Sequence, residues 1–226
     1  MGMILTLGYY LVTAVFLGTY VAKALTWRKS NRAAQRGPSG KKTPKIIVMS
    51  LGDIFFLTRL FRVNPGLWIG EWIFHVSVVL VIMRHLRYFI NPIPRWLWAL
   101  QTPGIIAGCI LPLSLLYIFI NKLTAEKRHY VSSYNFFLLC LLLLLSASGL
   151  LMLWAFPTDI VAVKIFMLGI FTFMPATAPD SLLFVSHFSI FLLFLAFLPS
   201  HVFAAPLVII EARLRAKEQQ EVLHEK

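Results

Sequence analysis

The sequence predicts an all-α integral membrane protein: a five-transmembrane-helix bundle, N-out and C-in, with interfacial helices. Three observations carry that prediction. Hydrophobic residues make up 59% of the 226 residues and the mean hydropathy is +0.79, more apolar surface than a soluble domain of this size buries. The apolar runs are continuous and do not alternate as barrel strands do. Basic residues gather beside the ends of those runs, where they set orientation.

The first span runs over about 4–25. No basic stretch precedes it and no small-residue cleavage site follows, so it reads as a retained helix and not a signal peptide. Arg28, Lys29, Arg32, Arg36, Lys41, Lys42 and Lys45 then make 26–66 a basic cytoplasmic loop. Within that loop Ile46 to Phe61 is hydrophobic, but it is short and carries Asp53 and Arg59. It predicts an interfacial helix on the cytoplasmic face, serving either to dock a soluble partner or simply to pack on the membrane surface.

The second span, about 67–90, runs from inside to outside and leaves through Asn91, Pro92, Ile93 and Pro94, with Trp96 and Trp98 at headgroup level. The third, about 104–120, holds Pro112, which kinks it unless neighbours compensate. It ends inside at Lys122, Lys127 and Arg128. The fourth, about 136–156, is dominated by leucine. Residues 157–180 form an outer loop whose apolar part, interrupted by Lys164 and bounded by Pro157 and Pro175, predicts an interfacial or re-entrant helix. The fifth span, about 181–207, returns inside, and 208–226 is a cytoplasmic tail. One membrane domain accounts for the whole length.

Composition excludes several classes of function. The formal charge of +12 lies next to span ends, where it signals topology and not nucleic-acid binding. Cys109 and Cys140 sit inside apolar spans and form no CxxC, no CxxCH and no thiolate cluster, so they read as small apolar filler. Any haem in this chain is therefore held by histidine without thioether bonds, which makes it b-type.

Histidines carry the chemistry. His75 and His85 lie ten residues apart in the second span, about 15 Å of helical rise. His187 and His201 lie fourteen apart in the last span, about 21 Å of rise. Imidazole inside hydrocarbon is costly and points to function. The two helices are antiparallel, so His85 comes opposite His187 toward the outside and His75 opposite His201 toward the inside. Each pair suits the two axial positions of a haem iron, which predicts two b-type haems stacked across the membrane. The unequal rises are absorbed by tilt and by a kink at Pro199. The bland alternative is isolated polar residues hydrogen-bonded between helices, or a proton path.

Arg84 and Arg87 flank His85. They are candidates for contact with haem propionates or a quinone oxygen, against simple snorkelling to the headgroups. His129 and His224 fall in a cytoplasmic loop and tail and read as solvated. Glu71, Asp180 and Lys164 receive no assignment.

The chain resembles the gamma subunit of respiratory nitrate reductase and its relatives, the membrane cytochromes of the Dsr, Tmc and Hme complexes and of membrane-bound heterodisulfide reductase. The resemblance rests on five spans with the N-terminus out, on Trp72, His75 and His85 in a W-x-x-H-x(9)-H pattern, on Arg87-Tyr88 after it, and on paired His187 and His201. The fourteen-residue spacing and the basic loop with its surface helix resemble the Dsr, Tmc and heterodisulfide reductase branch more than nitrate reductase.

The resemblance implies an electron-transfer subunit in the cytoplasmic membrane of a prokaryote. It would exchange electrons between menaquinone and a cytoplasmic iron–sulfur subunit of the heterodisulfide-reductase type. It implies His85 with His187 as ligands of the outer haem and His75 with His201 as ligands of the inner one. Two other readings compete: a haem-free anchor or proton-relay transporter, and a cytochrome b561-like transmembrane reductase fed by small soluble donors.

Overall fold

The computed structural model describes residues 1–34, 44–124, 132–199 and 201. Among these, regular structure is helical throughout. The helices are α1 (Gly2–Ala34), α2 (Pro44–Phe56), α3 (Thr58–Val63), α4 (Pro65–His85, continued by a 3-10 turn at Leu86–Tyr88), α5 (Arg95–Ala99), α6 (Gln101–Thr124), α7 (Ser133–Trp154), α8 (Ile160–Phe171) and α9 (Leu182–Phe197). Four stretches are long and apolar enough to cross a membrane: Gly2–Trp27, Pro65–Tyr88, Gln101–Thr124 and Ser133–Trp154. The class is thus an all-helical membrane protein. α8 and α9 are apolar but shorter, at 12 and 16 residues. The end of the predicted fifth span and the tail lie outside the described residues. So do Arg36, Lys41, Lys42, Lys127, Arg128, His129 and His224.

Helix starts are set by side chains that satisfy backbone N–H groups, which in a membrane find no water. The Asn64 side chain accepts from Leu67 N at 3.0 Å, with Pro65 at the first helical position. Ser132 accepts from Tyr134 N, Asp159 from Val161 N and Ala162 N, and Ser181 from Phe184 N.

Two details differ from the sequence-based expectation, and a third adds to it. α1 continues to Ala34, beyond the apolar limit at Leu25, because nothing between them breaks a helix. The predicted helix over Ile46 to Phe61 is two helices, broken at Leu57, whose φ of 50° is left-handed. That turn folds α3 back onto α4: Trp68 Nε1 donates to Phe56 O at 2.7 Å, and Phe61 packs edge-on against Trp68. It also brings the Thr58 hydroxyl and the Arg59 guanidinium onto the buried Asp53 carboxylate. Finally, α6 runs unbroken through Pro112. Its Leu111, Leu115 and Ile118 are buried with Leu139 of α7, and Phe74 and Val78 of α4 pack against them, so both neighbours brace the helix.

Packing passes in order from α1 to α9, α7, α6 and α4. The two histidine-bearing helices, α4 and α9, are therefore held in place through α6 and α7 and not by close packing on each other. α1 presents Ile4, Leu7, Leu11, Val15 and Val21 outward, as a helix does when its solvent is lipid. A second core joins Leu5 of α1, Phe166, Met167 and Ile170 of α8, and Phe184 and Phe188 of α9, with Tyr88 and Phe89 packed against it. α8 thus lies at the end of the bundle where α1 and α9 begin and α4 finishes. Tyr10 Oη donates to Ile170 O at 2.6 Å and Lys164 Nζ to Asn91 Oδ1 at 3.1 Å, tying it there.

α4 and α6 form the tightest crossing, and a glycine at each end permits it. A Cβ on Gly70 would lie 2.6 Å from Tyr117 Cδ1 and 3.2 Å from Ile118 Cγ1. A Cβ on Gly104 would lie 2.7 Å from Arg84 Cβ and 2.6 Å from its Cδ. Small residues let membrane helices approach closely, where van der Waals packing is the main attraction.

Candidate functional site

His75 and His85 stand on α4 and are separated by nearly three turns. His75 Nδ1 donates to Glu71 O at 2.6 Å, and His85 Nδ1 donates to Val81 O at 2.7 Å. A carbonyl only accepts, so Nδ1 carries the proton in both rings and Nε2 is left to present a lone pair. Phe74 packs edge-on beside His75, and Tyr88 beside His85.

His187, five residues into α9, meets Ser148 of α7: its Nδ1 lies 2.9 Å from Ser148 Oγ. The serine proton is committed to Leu145 O at 3.0 Å, so Oγ accepts from the imidazole. The Leu145 carbonyl itself also faces this ring. Next to Ser148, Gly149 lies so close that a Cβ there would be 3.3 Å from His187 Cε1. Ser148 and Gly149 form the seat of this imidazole, and again Nε2 is the nitrogen left over.

His187 lies within electrostatic reach of His85. His201 follows α9 just past the turn at Leu198, its backbone N donating to Leu198 O at 3.0 Å. It lies within electrostatic reach of His75, Glu71 and Lys122. The fold therefore brings the four histidines into two groups at two levels, His85 with His187 and His75 with His201. His75 and His201 are exposed, and His85 and His187 half-buried. Among the described residues no three His, Cys, Asp or Glu side chains converge on one point as the ligand set of a bare ion. Protein nitrogens are available here in twos.

The flanking cations behave differently from each other. Arg87 Nη1 donates to Gln101 Oε1 at 2.7 Å, and its guanidinium lies 5.1 Å from the centre of the Tyr88 ring. Arg84 lays its aliphatic chain over Gly104, and its buried Nε has no hydrogen-bond partner among the described residues. An unpaired buried guanidinium N–H beside a histidine is a donor site for an anion or carbonyl oxygen.

A b-type haem fits this donor set. One histidine from α4 and one from beside α7 or the end of α9 would hold it at each level, and it would supply one-electron chemistry there. The Nδ1 groups of His75, His85 and His187 are already bonded, as ligating histidines require, and the Arg84 donor suits a carboxylate. Ser148, Gly149, Gly104 and Gln101 escaped the reading of the sequence. The signal for the first two was present: Ser146-Ala147-Ser148-Gly149 is a small, polar interruption in a leucine-rich span, the composition of a close helix contact.

Comparison with known proteins points the same way. The chain is 27% identical over 177 residues to the "Hdr-like menaquinol oxidoreductase cytochrome b-like subunit" of Archaeoglobus profundus, covering 68% of this chain and 52% of that protein. It is 26% identical over 162 residues to the protein of the same description from Archaeoglobus fulgidus, covering 64% and 49%. The chain thus spans about half the length of the curated relatives it matches. No family model matches it, and no solved structure does. These similarities support the Hdr-like membrane-subunit branch; nothing among them points to the nitrate reductase gamma subunit.

Proposed function

We propose that this protein is a dihaem cytochrome b subunit of a quinone oxidoreductase, with five spans, its N-terminus outside and its C-terminus inside. His85 and His187 would hold the outer haem, and His75 and His201 the inner one. The observation that supports the reading is the proximity of His85 to His187 and of His75 to His201, with Nδ1 of His75, His85 and His187 each engaged by an acceptor. The cytochrome b-like description of both relatives supports it.

Bound haem supplies one-electron chemistry at each level. The chain's own residues do the rest. α6 and α7 set the separation of α4 and α9, the carbonyls of Glu71 and Val81 and the hydroxyl of Ser148 orient the rings, and the Arg84 Nε donor faces the outer site as a contact for a propionate or a quinone oxygen. Oxidation of one menaquinol to menaquinone at the outer level releases two protons and two electrons. The electrons pass inward to a cytoplasmic iron–sulfur subunit of the heterodisulfide-reductase type. The setting is the cytoplasmic membrane of a prokaryote, with α8 covering the outer end and α2 and α3 lying at the cytoplasmic face.

The test is a dithionite-reduced minus oxidised spectrum of the purified full chain, with pyridine haemochrome quantification, followed by reduction with a menaquinol analogue. Two b haems per chain, reducible by the quinol, are expected. A folded preparation made with ample haem supply that binds none overturns the reading. A finer expectation concerns the seat of His187. Ser148→Ala removes its hydroxyl acceptor, and loss of such a partner weakens metal-site affinity by roughly 10- to 100-fold. Because the Leu145 carbonyl remains, the lower end of that range is expected, read as faster loss of one haem to an apomyoglobin trap.

A further inference from the structure

We infer that the Glu71–Lys122 ion pair is an electrostatic trim for the inner histidine level, holding it under a net negative field. The inference rests on the dihaem reading above. Glu71 Oε1 and Lys122 Nζ are 2.8 Å apart and join α4 to α6, with side chains only 17% and 27% exposed. Lys122 lies in the last turn of α6 and Glu71 in the second turn of α4, so the pair sits at the inner edge of the bundle, partly sheltered from water. A partly buried pair gains little stability over an apolar contact, since desolvation offsets most of the attraction.

Its placement indicates what it acts on. Glu71 is also the residue whose carbonyl accepts from His75 Nδ1 at 2.6 Å. The neighbouring Gly70 is pressed against Tyr117 and Ile118, and Tyr117 Oη donates to Gly66 O at 3.1 Å. The carboxylate is therefore fixed one helical turn from His75 by a clamped crossing. Glu71 shares a helix and a turn with His75, whereas Lys122 reaches the carboxylate from α6, so the negative charge is the one built into the histidine's own turn. Glu71 thus stabilises the more positively charged, oxidised state of the inner level, and Lys122 moderates the effect. At the outer level the charged residues beside His85 in the chain are Arg84 and Arg87, both cations, so the two levels differ in the charges set next to them.

Three variants of the full chain separate a field from a mere bridge: Glu71→Gln, Lys122→Gln, and the charge-swapped double Glu71→Lys with Lys122→Glu. Each is followed by redox titration of both haems, the inner one being identified as the haem lost in His201→Ala. A unit charge at this range and an effective dielectric of about 20 shifts a one-electron equilibrium on the order of tenfold, or about 59 mV. Glu71→Gln is expected to raise the potential of the inner haem, Lys122→Gln to lower it, and the swapped double to follow Glu71→Gln in sign, with the outer haem unmoved.

If the swapped double returns the native potential, the pair is only a bridge and the inference is overturned. It is equally overturned if the inner haem is lost in all three variants, or if two haems remain with neither shifted or both shifted alike. In those last cases the dihaem reading still stands. Absence of haem from the unaltered protein removes both.

Discussion

Replacing His85 with alanine is expected to take haem content from two per chain to one, and replacing His201 with alanine to do the same at the other level. The double variants discriminate more sharply. His85→Ala with His187→Ala removes both nitrogens from one level, so it should retain one haem, as each single variant does. His85→Ala with His75→Ala empties one nitrogen from each level and should retain none. Residues acting as one unit are non-additive in this way, while residues of separate units add. The pattern follows from the proposed pairing, which the proximity of His187 to His85 and of His201 to His75 supports. Equal retention in the two double variants would mean that the pairing is wrong. Haemochrome quantification on each purified variant reads the answer.

The second large effect is expected at the α4–α6 crossing. Gly70→Ala and Gly104→Ala place a methyl group 2.6 Å from the Tyr117 ring and 2.7 Å from Arg84 Cβ, distances at which something must move. Overpacking of this kind costs typically about 1–3 kcal/mol. Gly108→Ala on the same face of α6 is the control, because its nearest neighbour, Val81 Cγ2, is 4.0 Å away. Alanine is favoured over glycine in a helix interior by about 1 kcal/mol, so this variant should be neutral or more stable. Thermal unfolding in detergent measures all three. Gly104→Ala should additionally disturb the outer level, since Arg84 is the side chain displaced, and Gly70→Ala the inner one beside Glu71.

Much of this was legible in the linear sequence, for a physical reason. Continuous hydrophobicity marks membrane helices without any knowledge of their neighbours, and four stretches are long and apolar enough to cross. A histidine in such a stretch is conspicuous because its cost is local. What could not be read were contacts between residues far apart in the chain. Ser148 and His187 are 39 positions apart, and Glu71 and Lys122 are 51 apart; neither serine nor glutamate announces its partner. The break at Leu57 was hidden because leucine carries no turn signal. It arises from what α3 finds on α4, namely Trp68, and from the two groups it delivers to Asp53. At Pro112 α6 continues without a break, with neighbours packed on both sides.

The continuity of α4 has a mechanical consequence. His75 and His85 ride on one uninterrupted rod pinned near both ends, at Gly70 and at Arg84 over Gly104. The interval between them is therefore a fixed ruler of about 15 Å, indifferent to any shift of α4 as a whole. The opposite rail is built otherwise. His187 sits within α9 against Ser148 and Gly149, whereas His201 stands beyond the end of α9, past the turn at Leu198. The interval between the two histidines of this rail is therefore not set by one continuous helix, as it is on α4.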